Sequence, residues 1–204
     1  MPTTLSMTED IEHLLASYPR TRPPLPPALE AIYHQTYVSS REGRGLLYRI
    51  TQSLEAWMHR RVAADSRPGQ TVLELGAGTL NHLRFELPDE TYDVVEPYKA
   101  LYEGRPEAAR VRAFYADIAD VPAENQYDRI ISIATLEHVL NLPDLVARAA
   151  KLLKPEGMFA AGIPSEGGFM WGFSWRASVG LSVRLRTGLN YGDLMRHEHA
   201  NQAR

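Results

Sequence analysis

At 204 residues with a formal net charge of −3, the chain can bury one sizeable core, and it lacks the strong positive charge of a broad nucleic-acid footprint. It contains no cysteine, which excludes disulfides and thiolate metal sites. Acidic residues and short apolar runs at the N-terminus are unlike a secretory signal, and no apolar stretch is long enough to span a bilayer, so the cytoplasm is the expected location.

Residues 1–70 are expected to be helical. Ser6 to Glu9 has the form of a capping box ahead of a helix carrying Ile11, Leu14 and Leu15. Prolines 19, 23, 24, 26 and 27 then impose an extended connector, read as a stiff spacer rather than as a ligand for a proline-reading domain. A second helix is expected around Leu29, Ile32, Tyr33 and Tyr37. A third carries Leu46, Leu47, Ile50, Leu54, Trp57, Met58 and Val62 at three- and four-residue steps, an amphipathic stripe that Pro68-Gly69 closes.

From residue 71 to residue 164 the pattern changes to strands separated by short segments. Strands are predicted at 71–75, 91–95, 111–115, 127–133 and 158–163. The fourth is nearly continuously apolar through Ile130, Ile131 and Ile133, as befits a strand covered on both faces. A helix with Leu145, Val146, Ala149, Leu152 and Leu153 on one side is predicted ahead of the fifth, opened by Pro143 and closed by Pro155 and Gly157. Such alternation implies parallel strands with right-handed crossovers and a ligand at their carboxyl ends.

The first strand runs into Glu74-Leu75-Gly76-Ala77-Gly78, and the second ends at Glu96, eighteen residues after Gly78. A glycine turn and a later carboxylate at this spacing suit a nucleoside, with the carboxylate holding a ribose diol. A dinucleotide site would want a third glycine where Asn81 stands, and Glu74 would repel a pyrophosphate, so a nicotinamide oxidoreductase is disfavoured. A ligand with an ammonium, a sulfonium and a ribose, S-adenosylmethionine, gives both Glu74 and Glu96 a role.

Five blocks occur in order: VLELGAGT at 72–79, DVVEP at 93–97, YADI at 115–118, YDRIISIATLEHV at 127–139 and LLKPEGMFAAGIP at 152–164. On these blocks the chain resembles the class I S-adenosylmethionine-dependent methyltransferases over somewhat under half its length. The resemblance implies an α/β fold, a Rossmann-like, doubly wound, mostly parallel sheet behind an N-terminal helical region. It divides the chain into an N-terminal helical lid (1–70), a cofactor-binding core (71–164) and a substrate-covering insertion with the start of a terminal helix (165–204). The sequence stops at that helix, so the family's last two strands are expected to be missing. An unpaired sheet edge would then invite aggregation or pairing with another chain.

The resemblance also implies roles. Gly76, Ala77 and Gly78 would take the cofactor's amino-acid end beside Glu74, Glu96 and Pro97 its ribose, Asp117 and Ile118 its adenine, with Ala134 also lining the site. Asp117 has a plainer reading as a cap for the segment after it, and Glu74 as an exposed strand-end charge. Asn81 and His82 are equally consistent with the cofactor tail and with the surface. Alanine in place of Glu96 is expected to weaken cofactor binding with little effect on folding. His138, after the fourth strand, is the candidate base for an acceptor hydroxyl, and hydrogen-bonding the backbone is its alternative role.

Between Phe169 and Leu185 odd positions are apolar or alanine, a period of two that normally marks a strand. Seventeen residues would be a very long strand, and the resembled family places a helical insertion here, so helix is preferred. Trp171, Trp175 and Arg176, with Tyr37, are candidate acceptor contacts; a peripheral membrane contact and packing against the N-terminal helices are the alternatives. His197-Glu198-His199 lacks a third ligand, and no metal is expected. The expected reaction is O- or N-methylation of a small-molecule, glycan or lipid-linked acceptor. A protein methyltransferase and a noncatalytic S-adenosylmethionine-binding regulatory module are the alternatives, and a homo-oligomer is among the expected partners.

Overall fold

The computed structural model describes residues 11–21, 46–123 and 126–163. The chain divides into two units, residues 1–19 with 56–163 and residues 20–55 with 164–204, and the sheet belongs to the first. Residues 11–16 are helical, as the spacing of Ile11, Leu14 and Leu15 predicts, and those three side chains are exposed.

Five parallel strands form one sheet: β1 (Thr71–Leu75), β2 (Thr91–Val95), β3 (Val111–Tyr115), β4 (Tyr127–Ile133) and β5 (Leu153–Gly162). Their order is β3-β2-β1-β4-β5. The chain therefore leaves β1 in one direction and returns to its other side at β4, which makes the carboxyl end of β1 the switch point where open α/β sheets hold ligands. Alternation along each strand divides the core. Val72, Tyr92, Val94, Ile131 and Ile133 pack on one face, while Leu73, Leu75, Val95, Tyr127 and Ile130 pack on the other.

The first face is covered by the end of helix α1 (Leu46–Val62), whose Met58 and Val62 lie against the sheet. Gly162 on β5 lies under the same helix end: a Cβ there would meet Val62 Cγ2 at 3.4 Å and Met58 Cβ at 3.8 Å, ordinary packing distances. Trp57, on the predicted apolar stripe, is exposed, and His59 is buried instead. On the second face lies helix α2 (Leu142–Leu152), with Ala149 and Leu152 buried against Leu73 and Ile130. Pro143 occupies its first turn as expected.

Two sequence expectations shift. The fifth strand starts at Leu153 rather than 158, because Tyr127 pairs with Leu153 and Arg129 with Met158, with residues 154–157 absorbed in an irregularity between those pairs. Lys154 within it bonds both oxygens of Asp128, at 2.8 and 2.9 Å, while Asp128 also accepts the Thr71 N–H. Pro155 and Gly157 thus mark this bulge, and α2 ends before Leu153. The connections before β4 contain no α-helix among the described residues. The segment after β1 holds a 3-10 turn, Asn81–Phe85, and later ones lie at Lys99–Leu101, Pro106–Arg110 and Ile118–Asp120. Only twelve residues separate Gly78 from β2, and a 3-10 turn reverses the chain in fewer residues than an α-helix.

Candidate functional site

The carboxyl ends of the strands are tied together by main-chain bonds. The Gly76 N–H donates to Val95 O at 2.8 Å, Glu96 N–H to Tyr115 O at 2.9 Å and Ala134 N–H to Gly162 O at 2.8 Å. Gly76 and Gly78 both have positive φ, 74° and 51°, a backbone that glycine adopts without steric cost. Gly76 is fixed a second time by its neighbour. A Cβ there would fall 2.3 Å from Thr135 Cγ2 and 2.4 Å from Thr135 Oγ1. The Thr135 hydroxyl lies 3.3 Å from Gly76 O and 3.1 Å from Ile133 O. Ala134, beside it, is exposed and holds φ at 51°, a left-handed geometry costly for a residue with a Cβ.

Glu96 is buried at the end of β2, and each of its oxygens accepts one main-chain bond: Oε2 from Gly78 N–H at 2.8 Å and Oε1 from Tyr98 N–H at 2.9 Å. The glycine turn and the carboxylate predicted to share one ligand are therefore in direct contact. Two carboxylate oxygens present about four lone-pair directions, so each retains acceptor capacity for one hydroxyl of a vicinal diol. This acceptor set fits the two hydroxyls of a ribose.

Glu74 is not a strand-end surface charge. Its carboxyl is buried on the first face and accepts the Tyr92 hydroxyl at 2.9 Å. Burial pushes its pKa up to about 8, against the lowering effect of the Tyr92 bond, and Glu86 and Glu96 add to the rise. At neutral pH Glu74 therefore carries a proton. Tyr92 escapes a sequence reading, although strand pairing supplies the signal: it sits opposite Val72, two residues from Glu74 and on the same face.

Asp117 caps the segment after it: its Oδ1 accepts the Ala119 N–H at 2.8 Å, and Asp120 Oδ2 accepts the Asp117 N–H at 3.1 Å, a reciprocal cap. Ile118 is buried in the second-face core with Val95 and Val121. Ala77 is buried and Pro97 exposed. His138 lies in a 3-10 turn after β4, its side chain 43% exposed and its Nε2 3.9 Å from Glu137 Oε1. Its N–H donates to Thr135 O at 2.9 Å, which joins it to the residue that packs on Gly76.

His82 is neither on the surface nor exposed to a ligand. It is fully buried, with Nδ1 2.8 Å from His59 Nδ1 and Nε2 2.6 Å from Glu86 Oε1. Tyr37, Trp171, Trp175 and Arg176 lie outside the described residues, as does His197-Glu198-His199. Among the described residues no cluster of three or more His, Asp or Glu is placed to hold a metal, and no helix is long and apolar enough to cross a membrane.

Solved structures similar to the chain include coclaurine N-methyltransferase, 18% identical over 78% of this chain and 51% of that one, with a TM-score of 0.49. The CcbJ methyltransferase from Streptomyces caelestis is 24% identical over 51% of this chain and 47% of its own, with a TM-score of 0.43. The YcgJ protein from Bacillus subtilis is 20% identical over 72% and 67%, at 0.45. The chain spans about half the length of the first solved structures it matches. No curated protein matches it in sequence. The family profile described as a methyltransferase domain matches residues 47–199, about three quarters of the chain. The chain belongs to this methyltransferase domain family, of the class I type that uses S-adenosylmethionine.

Proposed function

We propose that this chain transfers a methyl group from S-adenosylmethionine to a small-molecule acceptor. The observation that carries the reading is the contact between Glu96 and the Gly78 N–H, which supports a shared ligand for the carboxylate and the glycine turn at the sheet's switch point. When bound, the cofactor supplies an electrophilic methyl carbon on a sulfonium. The residues have to hold and align, since well-oriented reactants gain roughly 7–11 kcal/mol over free encounter.

Gly76, Ala77 and Gly78 take the amino-acid end, Glu96 with Pro97 the ribose, and Asp117 with Ile118 the adenine end, while Ala134 borders the methyl-transfer side. Glu74 meets the ammonium only after losing its proton, so binding expels a proton below about pH 8. His138, exposed at the mouth of β4, accepts the proton of an acceptor hydroxyl; an amine acceptor would not need it. A glycan or lipid-linked acceptor is the preferred class, supported by the sequence pattern of Trp171, Trp175 and Arg176.

The test is transfer of an isotopically labelled methyl group to panels of sugars, phenols and amines, with His138→Gln run in parallel. Transfer to a hydroxyl panel that the variant loses, with cofactor affinity kept, fits the reading. Cofactor binding without transfer to small molecules, proteins or lipid-linked sugars would favour a noncatalytic S-adenosylmethionine-binding module.

A further inference from the structure

The segment between Gly78 and β2 carries the glycine turn's continuation, yet it is only a 3-10 turn, whose main-chain bonds are poorer than those of an α-helix. Side chains hold it instead. From outside, Arg110 donates to Leu83 O at 2.6 Å and to Leu87 O at 2.9 Å. From inside, Glu86 accepts His82 Nε2 at 2.6 Å and Arg129 at 2.8 and 3.1 Å, and Arg129 also donates to Val62 O at 2.9 Å. Glu90 accepts Ser66 Oγ at 2.7 Å and Arg129 at 3.3 Å. The link to α1 is the His59–His82 contact, with the two rings 5.0 Å apart and Phe85 stacked on His59 at 5.2 Å.

Hydrogen placement follows from these contacts. Glu86 is paired with Arg129 and ionised, so His82 Nε2 carries a hydrogen and donates to it; His82 Nδ1 then accepts from His59 Nδ1–H. That bond survives one added proton. It fails when both rings are charged, because both facing Nδ1 atoms then carry hydrogens. We propose that His59 and His82 are positioning residues for the cofactor turn: their shared hydrogen bond, anchored through Glu86 to Arg129, fixes the chain after Gly78, and protonation of both rings releases it.

The inference rests on the cofactor reading of Gly76–Gly78. The groups facing the pair are Glu86 and Glu90 on the same segment, Arg129 on β4, and Arg60 and Arg84, whose guanidinium carbons lie 5.8 and 4.7 Å from the Phe85 ring centre. Glu86 favours an added proton and the three arginines oppose it, while Glu90, whose own pKa burial raises to about 7, loses its charge over the same range. Burial lowers the pKa of His82 below 6.5, more than the bond to Glu86 raises it. The sign follows: a depressed folded value contributes stability above pH 6.5 that is lost as pH falls below it.

The experiment measures hydrogen-exchange protection of amides 79–86, and S-adenosylmethionine affinity by calorimetry, at pH 7.5 and pH 5.0. It compares the parent chain with His59→Asn. The asparagine amide, carried on Cγ as Nδ1 is, accepts from or donates to His82 Nδ1 in either protonation state, so it keeps the bond without titrating. The parent is expected to lose about tenfold in protection at the lower pH, the worth of one buried hydrogen bond, and to lose cofactor affinity with it. His59→Asn is expected to hold both.

Equal protection of the parent at both pH values overturns the proposal, and so does an equal loss in the variant. Protection that follows pH while affinity does not overturns the positioning role. Protection that follows pH in a chain that binds no cofactor at either value overturns the reading of the glycine turn itself.

Discussion

The two ends of the sheet solve opposite problems. At the carboxyl ends, main-chain groups and one carboxylate are brought together under local strain: positive φ at Gly76, Gly78 and Ala134, Thr135 pressed on Gly76, and Glu96 bonded to two amides. Deeper on the first face charge is concentrated: Arg129, only 1% exposed, lies between Glu86 and Glu90, behind a turn that Leu80 opens at φ 61°. The other face carries a smaller counterpart, in which Asp93 accepts the Tyr127 hydroxyl at 2.7 Å and pairs with Arg112. The first region keeps acceptor capacity for a ligand, while the second uses its side chains to hold short connections in place, leaving Arg129 Nε and Glu90 Oε2 buried without a partner. A protein with 3-10 turns where longer helices would stand needs such anchors, because little main-chain bonding is left to do it.

If this division is right, substitutions in the two regions should fail differently. The largest effect is expected for Arg129→Met, which leaves Glu86 and Glu90 buried without their cation. It should cost about 3–5 kcal/mol in urea unfolding, with cofactor affinity falling only as far as the fold does. Gly76→Ala should cost about 3 kcal/mol through left-handed strain and overlap with Thr135. Adding Thr135→Ala should restore part of that loss, because the Thr135 Cβ would still stand 2.8 Å from the new methyl; full additivity of the two changes would contradict the contact.

The third test uses pH. Glu74 has a folded pKa of about 8, raised from 4.5 by burial, so the folded chain holds a proton that the unfolded chain releases. Between those values stability falls as pH rises, by about 1.4 kcal/mol per unit from this group. The stability difference between the parent and Glu74→Gln, followed from pH 5 to pH 7, should change with that sign and slope. A flat difference would mean that Glu74 is ionised in the folded chain. The smallest effect is expected for Ala134→Gly. Relief of a left-handed alanine should raise stability by about 1 kcal/mol, and a loss instead would show that the alanine methyl is needed for packing.

Much of this was legible in the sequence for a physical reason. The limits of the first four strands follow from apolar runs bounded by turn residues, and the glycine turn and Glu96 follow from a spacing that only a strand–turn–strand unit supplies. The fifth strand's start was not legible, because Pro155 and Gly157 end a helix and mark a bulge with equal force. Nor was the buried charge, since Arg129 meets Glu86 across 43 residues and each alone looks like a surface residue. His82 is ambiguous in sequence for the same reason: its partner His59 lies 23 residues earlier, on α1. The expectation that Glu96→Ala would leave folding intact also changes. Removing the carboxylate strands the Gly78 and Tyr98 amides, each worth about 1–3 kcal/mol if left unpaired. Glutamine, whose single oxygen accepts one of them while its NH2 cannot accept the other, strands only one and is the milder probe.

The most direct test is therefore calorimetric titration of the parent chain and Glu96→Gln with S-adenosylmethionine, S-adenosylhomocysteine and NAD. The parent should bind the first two in about the micromolar range and not NAD. Glu96→Gln should lose about 1–3 kcal/mol of stability for the one main-chain amide it leaves unpaired, stay folded, and bind at least about tenfold more weakly, as expected for a charge-assisted hydrogen bond made neutral. Unchanged affinity in the folded variant, or no binding by a folded parent chain, would contradict the assignment of the glycine turn and Glu96 as the cofactor site.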